Sequence, residues 1–179
     1  MMRQIKFAVG LVAMWVASFS AVHAQSSTEH AHVTQSFSFE VNAPMAKVAP
    51  LFAPEAERNW GDKDWNPVFL YPTPGRDVEG AVWTMQHGSH NSVWVNTLFD
   101  VAGGRMQYVV FVGEHLVTTI DVRVKALSAT RTGVDVTYTH TAVDPAANEY
   151  VAHLGEVDKT RGPEWQKGVE HALGMKSGE

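Results

Sequence analysis

A histidine in step with a strand's apolar side chains is the residue of this chain best placed to do chemistry. His140 follows Val134, Val136 and Tyr138 at intervals of two, and Ala142 comes after it. Alternate residues of a strand face the same way, so His140 and Tyr138 point where the apolar side chains point. If that side lines a cavity, the imidazole can serve as general acid or base, because its ordinary pKa lies near neutral pH. The Tyr138 hydroxyl can then hydrogen-bond a ligand carbonyl. The plainer reading is a histidine whose nitrogens are satisfied by the chain at a sheet–helix corner.

Aromatic side chains supply the second constellation. Trp60 and Trp65 stand five apart in a segment carrying Gly61, Asp62, Asp64 and Pro67. Loops of that composition are usually polar, so rings this large must pack beneath the loop, anchor a partner, or rim a pocket. Trp83, Met85, Trp94 and Tyr108 come from neighbouring strands, and Trp165 lies near the carboxyl end. Such a set can line an adaptable apolar pocket or fill a core.

Metal chemistry has weaker support. His87 and His90 flank a turn, with Glu114 or His115 as conceivable additions, and Glu29, His30 and His32 gather near the amino end. A closed zinc site needs about four ligands held in fixed geometry. Solvated turn and tail residues explain both groups more simply, and no metal or cofactor is implied. A nucleophile elbow, a phosphate loop, a dinucleotide fingerprint and the zinc-protease HExxH pattern are all missing. Without cysteine, thiol catalysis, disulfides and iron–sulfur ligation are excluded.

The elements that must position these residues are mostly strands. Val33 to Val41 alternates, with Val33, Phe37, Phe39 and Val41 on one side. Asn42 offers a cap for a short helix from Pro44 to Phe52, and Pro54 opens a second, ending near Asn59. Further strands are predicted at Val68–Tyr71, Ala81–His87, Ser92–Val101, Arg105–Val112, Leu116–Lys125 and Val134–Ala142, the last preceded by a turn at Thr132-Gly133. Their links are short, so the sheet must be antiparallel. Asp144 to Gly174 then reads as an amphipathic helix. Its stripe is Tyr150, Val151, Leu154, Val157, Trp165, Val169, Ala172 and Leu173, and it breaks near Thr160–Pro163 because proline removes a helical hydrogen bond.

The amino end reads as an export signal. Arg3 and Lys6 precede the apolar run Phe7 to Phe19, and Val22-His23-Ala24 supplies small residues at a cleavage site, with cleavage expected after Ala24. The run is shorter than the roughly 20 residues a spanning helix needs. Residues 25–32 are then a polar, mobile tail, and residues 33–176 form one domain. A periplasmic or secreted location follows, with no stable membrane anchor after cleavage. The net charge of −5, about −7 once Arg3 and Lys6 leave, opposes nucleic acid as a partner.

This order of elements resembles the helix-grip fold of the START / Bet v 1-like (SRPBCC) superfamily, an α+β fold. There a curved antiparallel sheet of about seven strands wraps a long C-terminal helix, with two short helices after the first strand. Local phrases resemble its bacterial polyketide cyclase/dehydrase-like branch. They are Phe39-Glu-Val-Asn-Ala-Pro44, Trp60 with Trp65-Asn-Pro67, Gly80-Ala-Val-Trp83-Thr, Val136-Thr-Tyr138-Thr, and Trp165. The resemblance implies a cavity between sheet and helix for an apolar or aromatic small molecule, and it carries over no catalytic residue. Three readings follow. The first is a non-catalytic binder using Trp60, Trp65, Trp83, Met85, Tyr108, Tyr138, His140 and Trp165. The second is a cyclase, dehydratase or hydrolase using His140 and Tyr138. The third is an accessory protein docking through exposed Trp60 and Trp65. Oligomeric state is not legible.

Overall fold

A computed structural model describes residues 29–87 and 90–175, with the side chains of His87 and His90 left aside. The predicted signal at 1–24 and the tip of the predicted turn at Gly88-Ser89 lie outside the described residues. The strands are β1 (His32–Val41), β2 (Val68–Tyr71), β3 (Val82–His87), β4 (His90–Asp100), β5 (Arg105–Val112), β6 (Leu116–Ser128) and β7 (Arg131–Ala142). The helices are α1 (Met45–Val48), α2 (Pro54–Glu57), α3 (Asn148–Asp158) and α4 (Gly162–Ala172), with 3₁₀ turns at Ala49–Phe52 and Pro145–Ala147.

The seven strands form one antiparallel sheet in the order β1-β7-β6-β5-β4-β3-β2. From β2 to β7 neighbours in sequence pair as hairpins, while β1 pairs with β7, so that β1 and β2 form the two edges. Register shifts at Phe69/Tyr71, Asn96/Leu98 and Ala126/Ser128 insert extra residues on one strand of a pair. Such bulges bend and twist a sheet locally, and this sheet is curved. Its inner face carries the alternation read from the sequence. On β5 Met106, Tyr108 and Val110 are buried, on β6 Leu116 to Val124 at every second position, and on β7 Val134, Val136, Tyr138, His140 and Ala142.

Several boundaries move. The turn expected at Thr132-Gly133 is strand, because β6 runs on to Ser128 and Gly133 pairs with both Lys125 and Glu40. Asn42 does not cap α1. Pro44 occupies that position without a side-chain cap, and the segment tightens into a 3₁₀ turn at Pro50. Residues 29–32, expected as a mobile tail, are pinned. Asn148 receives the Ala31 amide at 2.8 Å and donates to Glu29 O at 2.8 Å, and His30 Nδ1 lies 2.9 Å from Ala142 O.

The terminal helix is two helices. Asp144 accepts the Ala146 amide at 2.9 Å and opens the 3₁₀ turn. α3 ends at Asp158, and α4 restarts at Gly162-Pro163, where proline's missing N–H costs nothing. Tyr150, expected on the buried stripe, is 55% exposed. The residues of α3 and α4 that go inside are Val151, Gly155, Asp158, Gly162 and Val169. α3 packs on β1 and β7, and α4 on β1. No described helix is long and apolar enough to cross a membrane.

Gly155 sets the helix–sheet distance. A Cβ there would lie 2.4 Å from Val33 Cγ1, on a β-branched side chain with little freedom to move. Gly155→Val should therefore lower unfolding free energy by roughly 1–3 kcal/mol, the usual cost of overpacking, read from urea denaturation. Unchanged stability would mean that the helix rides farther from β1 than described.

Candidate functional site

Between the sheet and the helices lies a cavity of about 420 Å³. Its floor comes from β4 (Ser92, Trp94), β5 (Val110, Val112), β6 (Leu116, Thr118, Ile120) and β7 (Tyr138, His140). Leu154 of α3 and Trp165 of α4 cover it. Trp60, Asp62 and Trp65 from the loop after α2 reach its mouth with Tyr150, Arg161 and Glu164. The cavity size falls within the range of small-molecule sites.

Aromatic rings form one wall. Trp165 is the hub, with ring centroids 5.4 Å from Phe37 and from Trp60 and 6.2 Å from Tyr138 and from Phe52. Trp65 meets Trp94 edge-on at 5.4 Å, and Trp94 stacks on Trp83 at 5.8 Å. The collar is anchored by its polar tips. Trp60 Nε1 donates to Leu51 O at 2.7 Å, Trp65 Nε1 to Pro54 O at 2.8 Å, and the Tyr108 hydroxyl to Phe52 O. These carbonyls belong to the short helical stretch at residues 49–57, which is too brief to satisfy all its own acceptors.

A polar chain borders the cavity as well. His140 is 4% exposed, with Nε2 2.7 Å from Asp158 Oδ2 and Nδ1 2.8 Å from Thr118 Oγ1. Arg161 Nε donates to the other Asp158 oxygen at 2.9 Å, and its guanidinium carbon lies 5.6 Å from the Tyr138 ring centroid. An ionised carboxylate only accepts, so Nε2 carries a proton toward Asp158. With a neutral ring, Nδ1 accepts from the Thr118 hydroxyl. Both imidazole nitrogens are thus committed inside the protein, and Thr118 is the link through which His140 can influence a ligand. Tyr138 stacks on His140 at 5.7 Å, and burial holds its hydroxyl well above the usual phenol range, so it stays protonated.

Glu57, the last residue of α2, was not singled out from the sequence. It is 8% exposed and lines both the main cavity and a smaller void of about 30 Å³ among Trp65, Trp83, Trp94, Tyr108, Tyr138 and Trp165. No described residue gives its carboxyl a hydrogen bond or an ion pair. Burial first, then the negative fields of Asp77 and Asp62, push its pKa well above the ordinary carboxylate value.

The predicted site residues divide. Trp60, Trp65, Tyr138, His140 and Trp165 line the main cavity. Trp83 and Tyr108 do not; they border only the small void, and Met85 touches neither. The cavity lies over β4 to β7, whereas Trp83 and Met85 belong to β3 and are packed into the core, with Phe69 centred 5.9 Å from Trp83. Trp60 and Trp65 do not form an exposed docking patch, because both are half-buried against the core and tied to backbone carbonyls. His32 Nδ1 bonds Thr141 Oγ1 at 2.9 Å, and His115 stands 3.9 Å from Asp144. Among the described residues no three His, Asp or Glu side chains gather to hold a metal ion. Sequence reading missed Glu57, Thr118, Asp158 and Arg161. Asp158 did carry a signal, since it falls in phase with Val151 and Leu154.

No protein-family model and no curated protein matches the chain. Solved structures do. Norcoclaurine synthase from Thalictrum flavum, in complex with dopamine and hydroxybenzaldehyde, superposes with a TM-score of 0.59 at 11% identity, covering 92% of this chain and 100% of that one. Ara h 8.0201 gives 0.61 at 13% identity over 80% of this chain and 99% of its own. A Thermobifida fusca protein solved by solution NMR gives 0.60 at 17% identity over 82% and 99%. The fold is therefore the Bet v 1-like helix grip. At these identities the likeness concerns fold alone.

Two outcomes follow from the buried polar groups. Asp158→Ala leaves His140 and Arg161 without their shared acceptor and should cost roughly 3–5 kcal/mol in denaturant unfolding; a loss under about 1 kcal/mol would mean the pair is solvated. Glu57 keeps its proton in the folded state at pH values where the unfolded chain has lost it. Stability attached to Glu57 is thus full below its unfolded pKa of about 4.5 and declines as pH rises above that value. Glu57→Gln should gain on the natural protein in melting temperature as pH is raised from about 4 to about 7. A constant difference would place the carboxyl in water.

Proposed function

We propose that the protein holds an apolar or aromatic small molecule between its sheet and its paired C-terminal helices. The observation carrying this reading is the cavity of about 420 Å³, walled by Trp60, Trp65, Trp94, Tyr138 and Trp165. A core built only for stability fills such space, because protein interiors pack as densely as organic crystals. The mixed lining is suited to a guest. Rings and aliphatic side chains supply contact area, while Thr118, Tyr138 and Glu57 offer a few polar groups that fix orientation.

The norcoclaurine synthase of the same fold, solved with dopamine and hydroxybenzaldehyde, supports a small-molecule reading. The phrases around Pro44, Trp65 and Trp83 support a place in the bacterial polyketide cyclase/dehydrase-like branch. The pattern from Arg3 to Ala24 supports export, with the working protein in the periplasm or outside the cell.

The test uses N-phenylnaphthylamine, a neutral dye that fluoresces in apolar surroundings. It should bind saturably to the purified protein. Leu154→Trp, which fills the cavity from α3, should weaken dye binding by about tenfold or more while far-UV circular dichroism stays unchanged. A protein that binds no apolar probe, or a variant that binds the dye as well as the natural chain, would remove the reading.

A further inference from the structure

Glu57 is a buried acid in an aromatic setting, and the setting narrows the class of ligand. Glu57 as a residue is 8% exposed and lines the cavity, and its carboxyl has no hydrogen-bond or ion-pair partner among the described residues. A desolvated acid without a hydrogen bond is expensive, and a partner of opposite charge removes that cost.

The rings around it point to the same kind of partner. Trp65 spends its N–H on Pro54 O, Trp94 on Ser92 Oγ at 2.8 Å, Trp60 on Leu51 O and Tyr108 its hydroxyl on Phe52 O. With their polar tips used, these side chains offer a guest mainly carbon and π surface. The negative face of an indole or phenol ring attracts a cation, most strongly where water is excluded.

Charge at the cavity agrees. Arg161 is the only Lys or Arg among the described residues that line it, and Asp158 already neutralises that guanidinium. Asp62 and Glu164 at the mouth are exposed acids. Uncommitted charge at and inside the opening is therefore acidic, which raises the local concentration of cations.

We propose that the cavity's ligand carries an ammonium group, seated against the indole and phenol rings with Glu57 as its counter-ion. This rests on the small-molecule reading above and adds the ligand's charge. With no cation beside it, burial favours the protonated form of Glu57. On binding a permanent cation, the carboxylic acid gives that proton to solvent, and the carboxylate pairs with the ammonium. Cation affinity then rises with pH until Glu57 is ionised without help. The groups facing Glu57 are Asp62 from the loop, Asp77 from the segment before β3, Tyr108 of β5, Tyr138 of β7, and Arg161 and Glu164 at the start of α4. His140 also lines the cavity, and Asp158 sits behind it, bonded to both His140 and Arg161.

The test compares phenyltrimethylammonium, whose charge does not titrate, with tert-butylbenzene, its neutral isostere. Both are titrated into the natural protein and into Glu57→Gln, with displacement of N-phenylnaphthylamine as the readout. The cation should bind at least about tenfold tighter than the isostere at pH near 8, with the ratio shrinking toward about pH 5. In Glu57→Gln the ratio should fall by about tenfold and lose its pH dependence. Equal or weaker binding of the cation at every pH overturns the proposal and leaves the small-molecule reading standing. A preference or pH trend that survives in Glu57→Gln assigns it to His140 or to the acids at the mouth, and also overturns it. Dye that neither compound displaces contradicts the proposal by showing that the pocket refuses such guests, whereas dye that does not bind at all contradicts the small-molecule reading itself.

Discussion

The buried contact between His140 and Asp158 is the one on which the arrangement turns. It joins β7, the strand next to the β1 edge of the sheet, to the last residue of α3, 2.7 Å apart and almost without solvent. A histidine–carboxylate pair in the interior is costly to desolvate and is seldom a net source of stability. Its geometric effect is clearer. It fixes how the end of α3 sits over β7, and through Arg161 it fixes where α4 begins. The gap roofed by Leu154 and Trp165 exists because the helices are held at a set position there rather than collapsing onto Ile120 and Thr118.

Close approach at one point and separation at another depend on the same few residues. Gly155 lets α3 come down on Val33 of β1, where any side chain would collide. Three residues on, Asp158 reaches His140. Gly162 is buried over Phe37 where α4 restarts against β1, at a spacing that a Cβ would also fit. The break between the helices, dictated by Pro163, is what aims Arg161 at Asp158 and Trp165 at the aromatic collar. On the far side, the proline-rich turns at residues 49–54 supply free carbonyls that hold Trp60, Trp65 and Tyr108. Sheet curvature from the bulges completes a concave surface that the helices span at two ends and do not fill.

Much of the frame could be read from residue order. β5, β6 and β7 were legible because one face of each is buried, which forces alternation over many residues. The helix break was legible because proline has a local cost that packing does not erase. Gly133 misled, since a glycine beside Thr132 reads as a turn although here it pairs within β7. The site was less legible. His140 and Tyr138 could be placed together by phase, but the partners of His140 come from Thr118, 22 residues earlier, and Asp158, 18 residues later. Met85 and Trp83 share the phase of cavity residues yet sit on a strand the cavity does not reach. Glu57 gave no sign at all. In Pro54-Glu-Ala-Glu57 it resembles any acid on a short exposed helix, and its burial comes from rings contributed by loop, strands and α4. Local pattern sets which face is inside; only the packing of distant segments sets what is inside with it.

The most direct measurement uses Ile120, which lines the cavity and is the only isoleucine after Ile5. Its δ1 methyl can be labelled and followed by NMR while naphthalene, a neutral apolar guest, is added. A cavity that admits a small molecule predicts a single, saturable shift of that methyl, caused by the guest's ring current, with the methyls of Val134, which lies four residues farther along the sheet and outside the cavity lining, still. An Ile120 methyl that does not move at any concentration would show that the space between sheet and helices takes no guest, and would contradict the account.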